Sequence, residues 1–241
     1  MIKEAIEKIL DLAPFENKTI SFNNRIYAAR TPIRLKRPEE FEPDALELST
    51  LQGIVEFVQQ CAGVDIPAKT ELGIFVVNES KVNLVGCLQP DNDNLRFCYL
   101  ESELAHAPFA FGRWLSQEEF IIGLNSLFVP DEMRNKVLQL VSHMIDDEGI
   151  EYRDDGIGQT VTVRTGVHMA GEQTVPPTIR LVPYRTFREV PQPASDFCLR
   201  VRQKPLKLAL FEADGGIWKD RAVENIKHYF ANALPDVAVW G

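Results

Sequence analysis

Cysteine is sparse in this chain. Cys61, Cys87, Cys98 and Cys198 are the only four among 241 residues, and no two form a C-x-x-C pair. That spacing excludes a local zinc knuckle or dithiol motif and predicts reduced core thiols. Histidine is as scarce: His106, His143, His168 and His228 show no H-E-x-x-H or H-x-x-H spacing. A zinc centre would have to be assembled from distant parts of the chain. No apolar run approaches the roughly 20 residues that span a bilayer. Near the start, Lys3, Glu4, Glu7 and Lys8 interleave with Ile2, Ile6 and Ile9, which is amphipathic and unlike a signal peptide. Basic residues are outnumbered 26 to 35, for a net charge of −9. That balance repels bulk phosphate backbone and disfavours non-specific duplex binding, while leaving room for a local basic face. Phosphate-loop and dinucleotide glycine patterns are absent, and neither Ser116 nor Ser195 sits in a G-x-S-x-G context. Nothing pairs Cys198 with a histidine as a thiol enzyme would require. The sequence thus points to no catalytic motif, no metal and no cofactor.

What is present is ordinary globular composition, 45% hydrophobic and 25% charged. The length suits one large domain or two small ones. Helical spacing predicts a helix over 2–12, ended by Pro14. Residues 18–29 read as a hairpin around Asn23-Asn24. Pro32, Pro38 and Pro43 mark 30–48 as extended and irregular. Ser49 and Gln52 have capping-box spacing before a helix over 50–62. Strands follow at 71–77 and 81–88, joined by Asn78-Glu79-Ser80, and at 95–100. A second capping box, Ser116 with Glu119, opens a helix carrying Phe120, Ile121, Leu124, Leu127 and Phe128. Pro130 suits the first turn of another helix, 131–146, and the short connection predicts that the two helices pack together. Beyond Asp146 the chain turns to strand: 160–164, 178–182, 197–202 and 206–211. A helix over 218–234 and a strand at 237–240 complete it. The expectation is an α+β fold in one continuous domain, with a helix-rich N-terminal lobe (1–148) and a strand-rich C-terminal lobe (149–241).

Three stretches hold candidate chemistry, and each has an ordinary structural alternative. Asp146, Asp147, Glu148, Glu151, Asp154 and Asp155 offer oxygen ligands for a hard cation, but without calcium-loop spacing; the alternative is a solvated turn. Glu212-Ala213-Asp214-Gly215-Gly216 lies between a predicted strand and a predicted helix. It reads as a carboxylate pair or a phosphate cradle at a helix N-terminus, or simply as turn chemistry. Arg185, Arg188, Arg200, Arg202, Lys204 and Lys207 make a basic region interleaved with Tyr184, Phe187 and Phe197, a combination that grips phosphates and stacks bases. Strand alternation puts Arg200 and Arg202 outward, opposite Phe197, Leu199 and Val201. The alternative is a solvated strand face or a subunit contact.

Residues 184–218 carry the most distinctive text. They read Tyr184-Arg185-Thr186-Phe187-Arg188-Glu189-Val190, then Pro193-Ala194-Ser195-Asp196-Phe197, then Leu210-Phe211-Glu212-Ala213-Asp214-Gly215-Gly216-Ile217-Trp218. Together with Phe111-Gly112-Arg113-Trp114-Leu115-Ser116-Gln117-Glu118-Glu119-Phe120 and the strand before Arg164-Thr165-Gly166, this resembles the YfdQ-like family of phage and prophage proteins. The likeness is best over 159–234 and weaker before 110. It implies a phage or prophage origin, non-virion genes and no assigned catalytic residues; the start unlike a signal peptide and the lack of a spanning run give the cytoplasm of a bacterial host as the expected location.

The large apolar anchors and prolines in this stretch look architectural, which favours binding or assembly over catalysis. The expected function is a non-enzymatic, self-associating binding protein, with Val161–Arg164 among the strands offering open edges. It would sequester a host factor or a small phosphorylated, nucleotide-like ligand as an anti-defence device. Arg185, Arg188, Arg200 and Arg202 would then contact the anionic group and Tyr184 or Trp218 stack a base, with Asp214, Gly215 and Gly216 in the ligand-facing turn. The alternatives are an accessory protein binding single-stranded nucleic acid in phage replication or recombination, a shell-like assembly, and an enzyme with dispersed residues centred on Glu212 and Asp214.

Overall fold

The computed structural model describes residues 44–88, 96–105, 107–144, 176–202 and 205–241, and the backbone of strands at 19–22, 25–28, 34–35, 153–154, 159–164 and 170–175. The predicted helix over 2–12, the Asn23-Asn24 turn, Pro32, Pro38 and Pro43, most of the acidic run, His106, His168 and Lys204 lie outside the described residues.

Contacts divide the chain into two units. The first comprises Met1–Asp44 with Gln89–Leu95, the second Ala45–Leu88 with Arg96–Gly241. In the first, β1 (Thr19–Phe22) and β2 (Arg25–Ala28) form the predicted antiparallel hairpin, and β3 (Arg34–Leu35) joins β2.

The second unit is α+β. Its five-stranded sheet runs in the order β15-β5-β6-β7-β4, from β4 (Leu46–Leu48), β5 (Leu72–Asn78), β6 (Lys81–Gly86), β7 (Cys98–Glu103) and β15 (Ala238–Trp240). The strand predicted at 95–100 thus begins later. The inward residues of β7 are Leu100 and Ser102, while Glu101 and Glu103 alternate outward and hide the strand from a hydrophobic scan. Ile74, Val76, Val82, Leu84 and Leu100 bury one sheet face against α1 (Leu51–Cys61) and α4 (Trp218–Ala233). On α4, Trp218, Ala222, Ile226 and Phe230 recur every four residues, which places all of them on the buried stripe. Each large side chain removed from water in this way contributes about 1.5–3 kcal/mol.

A four-stranded sheet, β12-β13-β14-β8, holds the other core: β8 (Leu115–Ser116), β12 (Ile179–Leu181), β13 (Ser195–Arg202) and β14 (Lys207–Glu212). Phe197, Leu199, Val201, Leu208 and Leu210 pack against Phe120 and Leu124 of α2 (Gln117–Leu127) and Val137 and Val141 of α3 (Glu132–His143). The Ser116–Glu119 capping box forms in full. The two helices pack as predicted, and Gln117 Nε2 donates to Val141 O at 2.6 Å. Pro130 stays just outside α3, whose N-cap is Asp131, the acceptor for Arg134 N.

The elements do not separate at residue 148. β8, α2 and α3 complete the sheet of the later strands, while α4 and β15 return to the sheet of the earlier ones. A helix-rich N-terminal lobe and a strand-rich C-terminal lobe therefore do not describe this unit. The reason is burial: the four-stranded sheet is covered by α2 and α3 from before residue 148, and the five-stranded sheet by α1 together with α4 from beyond it.

A third sheet in the second unit, β11-β10-β9, comprises β9 (Arg153–Asp154), β10 (Gln159–Arg164) and β11 (Ala170–Val175). β10 is the middle strand: it pairs with β11 along its length but with β9 only at Gln159 and Thr160, so among the described strands none pairs with Val161–Arg164, the residues expected to offer an open edge, on that side. The sequence reading did not anticipate β11. All four cysteines are free; Cys87 is exposed and the other three are half-buried, with Cys61 packed at the edge of a core, so none is the fully buried thiol that was expected. Among the described residues, no helix is long and apolar enough to cross a membrane.

Candidate functional site

The stretch between β12 and β13 is a strap tied to both cores. Phe187 and Val190 are buried among the residues of the five-stranded sheet. Tyr184 N donates to Leu127 O at 2.8 Å, fastening the strap's start to the other core. Thr186 Oγ1 donates to Glu79 O at 2.6 Å, in the β5–β6 turn. The Gln192 side chain holds the strap's own bend. Its Oε1 accepts from Arg185 N at 3.0 Å and its Nε2 donates to Phe187 O at 2.8 Å.

Glu189 reaches across the sequence to cap α1, accepting from Leu51 N at 2.9 Å. The predicted Ser49–Gln52 box does not form. Thr50 is the N-cap, accepting from Gly53 N at 3.2 Å, and glycine three residues into the cap sequence leaves no local carboxylate to complete a box. The remote Glu189 instead accepts from the first two helical amides, Leu51 N and Gln52 N.

Arg185 anchors the strap's inner side. Its guanidinium is buried, donates to Glu212 Oε1 and Ser195 Oγ, and lies 3.8 Å from the Trp218 ring centre. Strand alternation explains the meeting. Ser195, Phe197 and Glu212 share the inner face of β13–β14, with Phe197 and Glu212 directly paired. Burial pulls the Arg185 pKa down, against the opposing pull of Glu212 and Asp214. Asp214 Oδ1 accepts from Gly216 N at 3.1 Å. Burial works against the Asp214 carboxylate, but the Ser195 hydroxyl beside it, the Gly216 amide and Arg185 hold its pKa below the ordinary 3.8.

These contacts correct two expectations. Arg185 cannot reach an outside anionic group, because its guanidinium is committed to Glu212 and Ser195 inside the protein. Trp218, 6% exposed, stacks on that guanidinium and has no free face for a base. The turn chemistry of the glycines is as expected. Gly215 and Gly216 have φ of +64° and +83°, in the region that a side chain disfavours.

The remaining arginines face the other way. Along β13, Phe197, Leu199 and Val201 are buried, whereas Arg200 is half-buried and Arg202 exposed. Arg202 lies with its guanidinium 3.9 Å over the Trp114 ring, and Lys207 is its direct partner on β14. Phe211, 37% exposed, meets Trp114 edge-on with centroids 6.2 Å apart. Arg188 lies 3.7 Å over Tyr184 on the strap, so this pair and the Arg202 pair are the two open cation–aromatic stacks of the predicted set. Sequence reasoning missed Trp114 as a surface residue. Glu189 and Gln192 had no local signal.

Two clefts among the described residues lie elsewhere. One of about 470 Å³ is lined by Met133, Val137, Leu140, His143 and Ile179. Another, of about 640 Å³, is lined by Glu47, Thr50, Glu101 and Glu103. Burial, with the Glu101 carboxylate, pushes the Cys98 thiol up, away from a reactive thiolate. Among the described residues no group of three His, Cys, Asp or Glu side chains is placed to hold a metal ion. No family model, curated protein or solved structure matches this chain.

Proposed function

We propose that this chain is a non-enzymatic binding protein whose ligand-facing surface is the outer face of β13 and β14. The partner it suits is anionic and carries an aromatic base, as a nucleotide does. One observation carries the reading: the exposed Arg202 guanidinium stacked on Trp114, with Phe211 and Lys207 beside it. Arginine and lysine pair with phosphate, and aromatic faces stack bases. Of the two carboxylates, Glu212 pairs with Arg185, and Asp214 accepts from Gly216 N in its own turn through Oδ1.

A nucleotide held between self-associated copies, in a phage-infected bacterial cytoplasm, is the leading form of this proposal. The patch is an open face outside both clefts, which favours single-stranded nucleic acid as a second reading. Titration of tryptophan fluorescence separates them. Saturable quenching by a mononucleotide, with a larger assembly in native mass spectrometry, supports sequestration. Quenching only by a single-stranded oligonucleotide, weakening steeply with salt, supports the second reading. Arg202→Ala should weaken either at least tenfold. If neither probe changes the fluorescence, or Arg202→Ala binds as the parent does, the proposal fails.

A further inference from the structure

Three polar atoms near the amino end of α4 are buried with no hydrogen-bond partner among the described residues: Arg185 Nε, Trp218 Nε1 and Asp214 Oδ2. They belong to neighbouring groups. The Arg185 side chain is 3% exposed and stacks on Trp218, and Ser195, which accepts from Arg185, sits beside the Asp214 carboxyl without bonding Oδ2. The turn above them opens to solvent at Gly215, and Ile217, the N-cap of α4, offers no side-chain bond.

An unmet buried polar group costs about 1–3 kcal/mol, so three together call for a shared partner. The two N–H groups only donate, and the carboxylate oxygen only accepts. One atom serving all three must accept two hydrogen bonds and donate one. A hydroxyl oxygen does this; an unprotonated phosphate oxygen only accepts. Charge agrees. Arg185 faces Glu212 and Asp214, and nearby Lys219 is paired with Glu79 at 3.3 Å, so carboxylates outnumber cations around the site.

We infer that Arg185, Trp218 and Asp214 form a buried site for a neutral hydroxyl oxygen, supplied by an ordered water or by a polyol ligand. It is separate from the outer patch and does not depend on it. This reverses the expectation of phosphate at this turn.

Nitrogen-15 NMR of the full chain tests it on the wild-type protein, with the Trp218 indole and Arg185 Nε–H signals assigned through the backbone. Ribose, glycerol and inorganic phosphate are the probes. If the oxygen is water, both protons show cross-peaks to a long-lived bound water that ribose and glycerol leave unchanged. If it belongs to a ligand, ribose or glycerol shifts both signals saturably. Absence of both the water cross-peaks and the polyol shifts overturns the inference. A saturable shift of both signals by phosphate overturns it as well.

Discussion

Replacing Arg185 by alanine removes a buried guanidinium that three groups depend on. Ser195 loses its donor, Glu212 loses its ion partner, and Trp218 loses the cation on its ring. Breaking a buried ion pair typically costs about 3–5 kcal/mol. Glu212 is 38% exposed and regains water, which places the electrostatic share well below that range. The cavity left beneath Phe111 and Phe197 adds a packing penalty. The expected total is about 3 kcal/mol, or about 6–12 °C in Tm for a chain this long. Chemical denaturation of Arg185→Ala, Glu212→Gln and the double variant measures it. Glu212→Gln should cost about 1 kcal/mol or less, because its carboxylate borders solvent. The double variant should cost less than the sum, since the two groups act on each other. An Arg185→Ala protein within 1 kcal/mol of the parent refutes the argument that this arginine is an internal tie.

Two further predictions follow from the same strap and turn. Glu189→Ala removes a cap from α1 and should cost about 1 kcal/mol, read as a Tm drop of about 2–4 °C, whereas Glu189→Gln keeps an acceptor and should recover most of it; equal losses in both would sink the capping role. The Asp214 pKa is lowered on folding, so its charge stabilises the fold above the ordinary 3.8 and that contribution is lost as pH falls through the folded value. Asp214→Asn should therefore be less stable than the parent at pH 6, with the gap closing below pH 3.8 in acid-denaturation curves; a gap that stays constant to pH 2 contradicts the sign.

Local patterns were legible wherever one element decides its own conformation. The Ser116–Glu119 box, the four-residue stripe of α4, the alternation of β13 and the glycines at 215 and 216 all follow from spacing and backbone preference. Strand β7 was displaced because its outward residues are charged, and the α1 cap was misplaced because its carboxylate lies at Glu189, far along the chain. The candidate site divided on the same principle. Alternation alone put Arg200 and Arg202 on the outer face, but nothing in the order of residues says that Arg185 points inward.

By itself, the sequence determined an α+β fold, the places of most strands and helices, and the tight turn before α4, because these depend on neighbours within a few residues. Only the tertiary structure decided that elements from both sides of residue 148 share the cores, and that the Tyr184–Val190 strap ties those cores together. It also decided that one arginine of the basic stretch is spent inside while Arg202 stands open on Trp114. Each of these outcomes turns on contacts between residues distant in the chain, where burial and pairing choose among conformations that local preference leaves equally available.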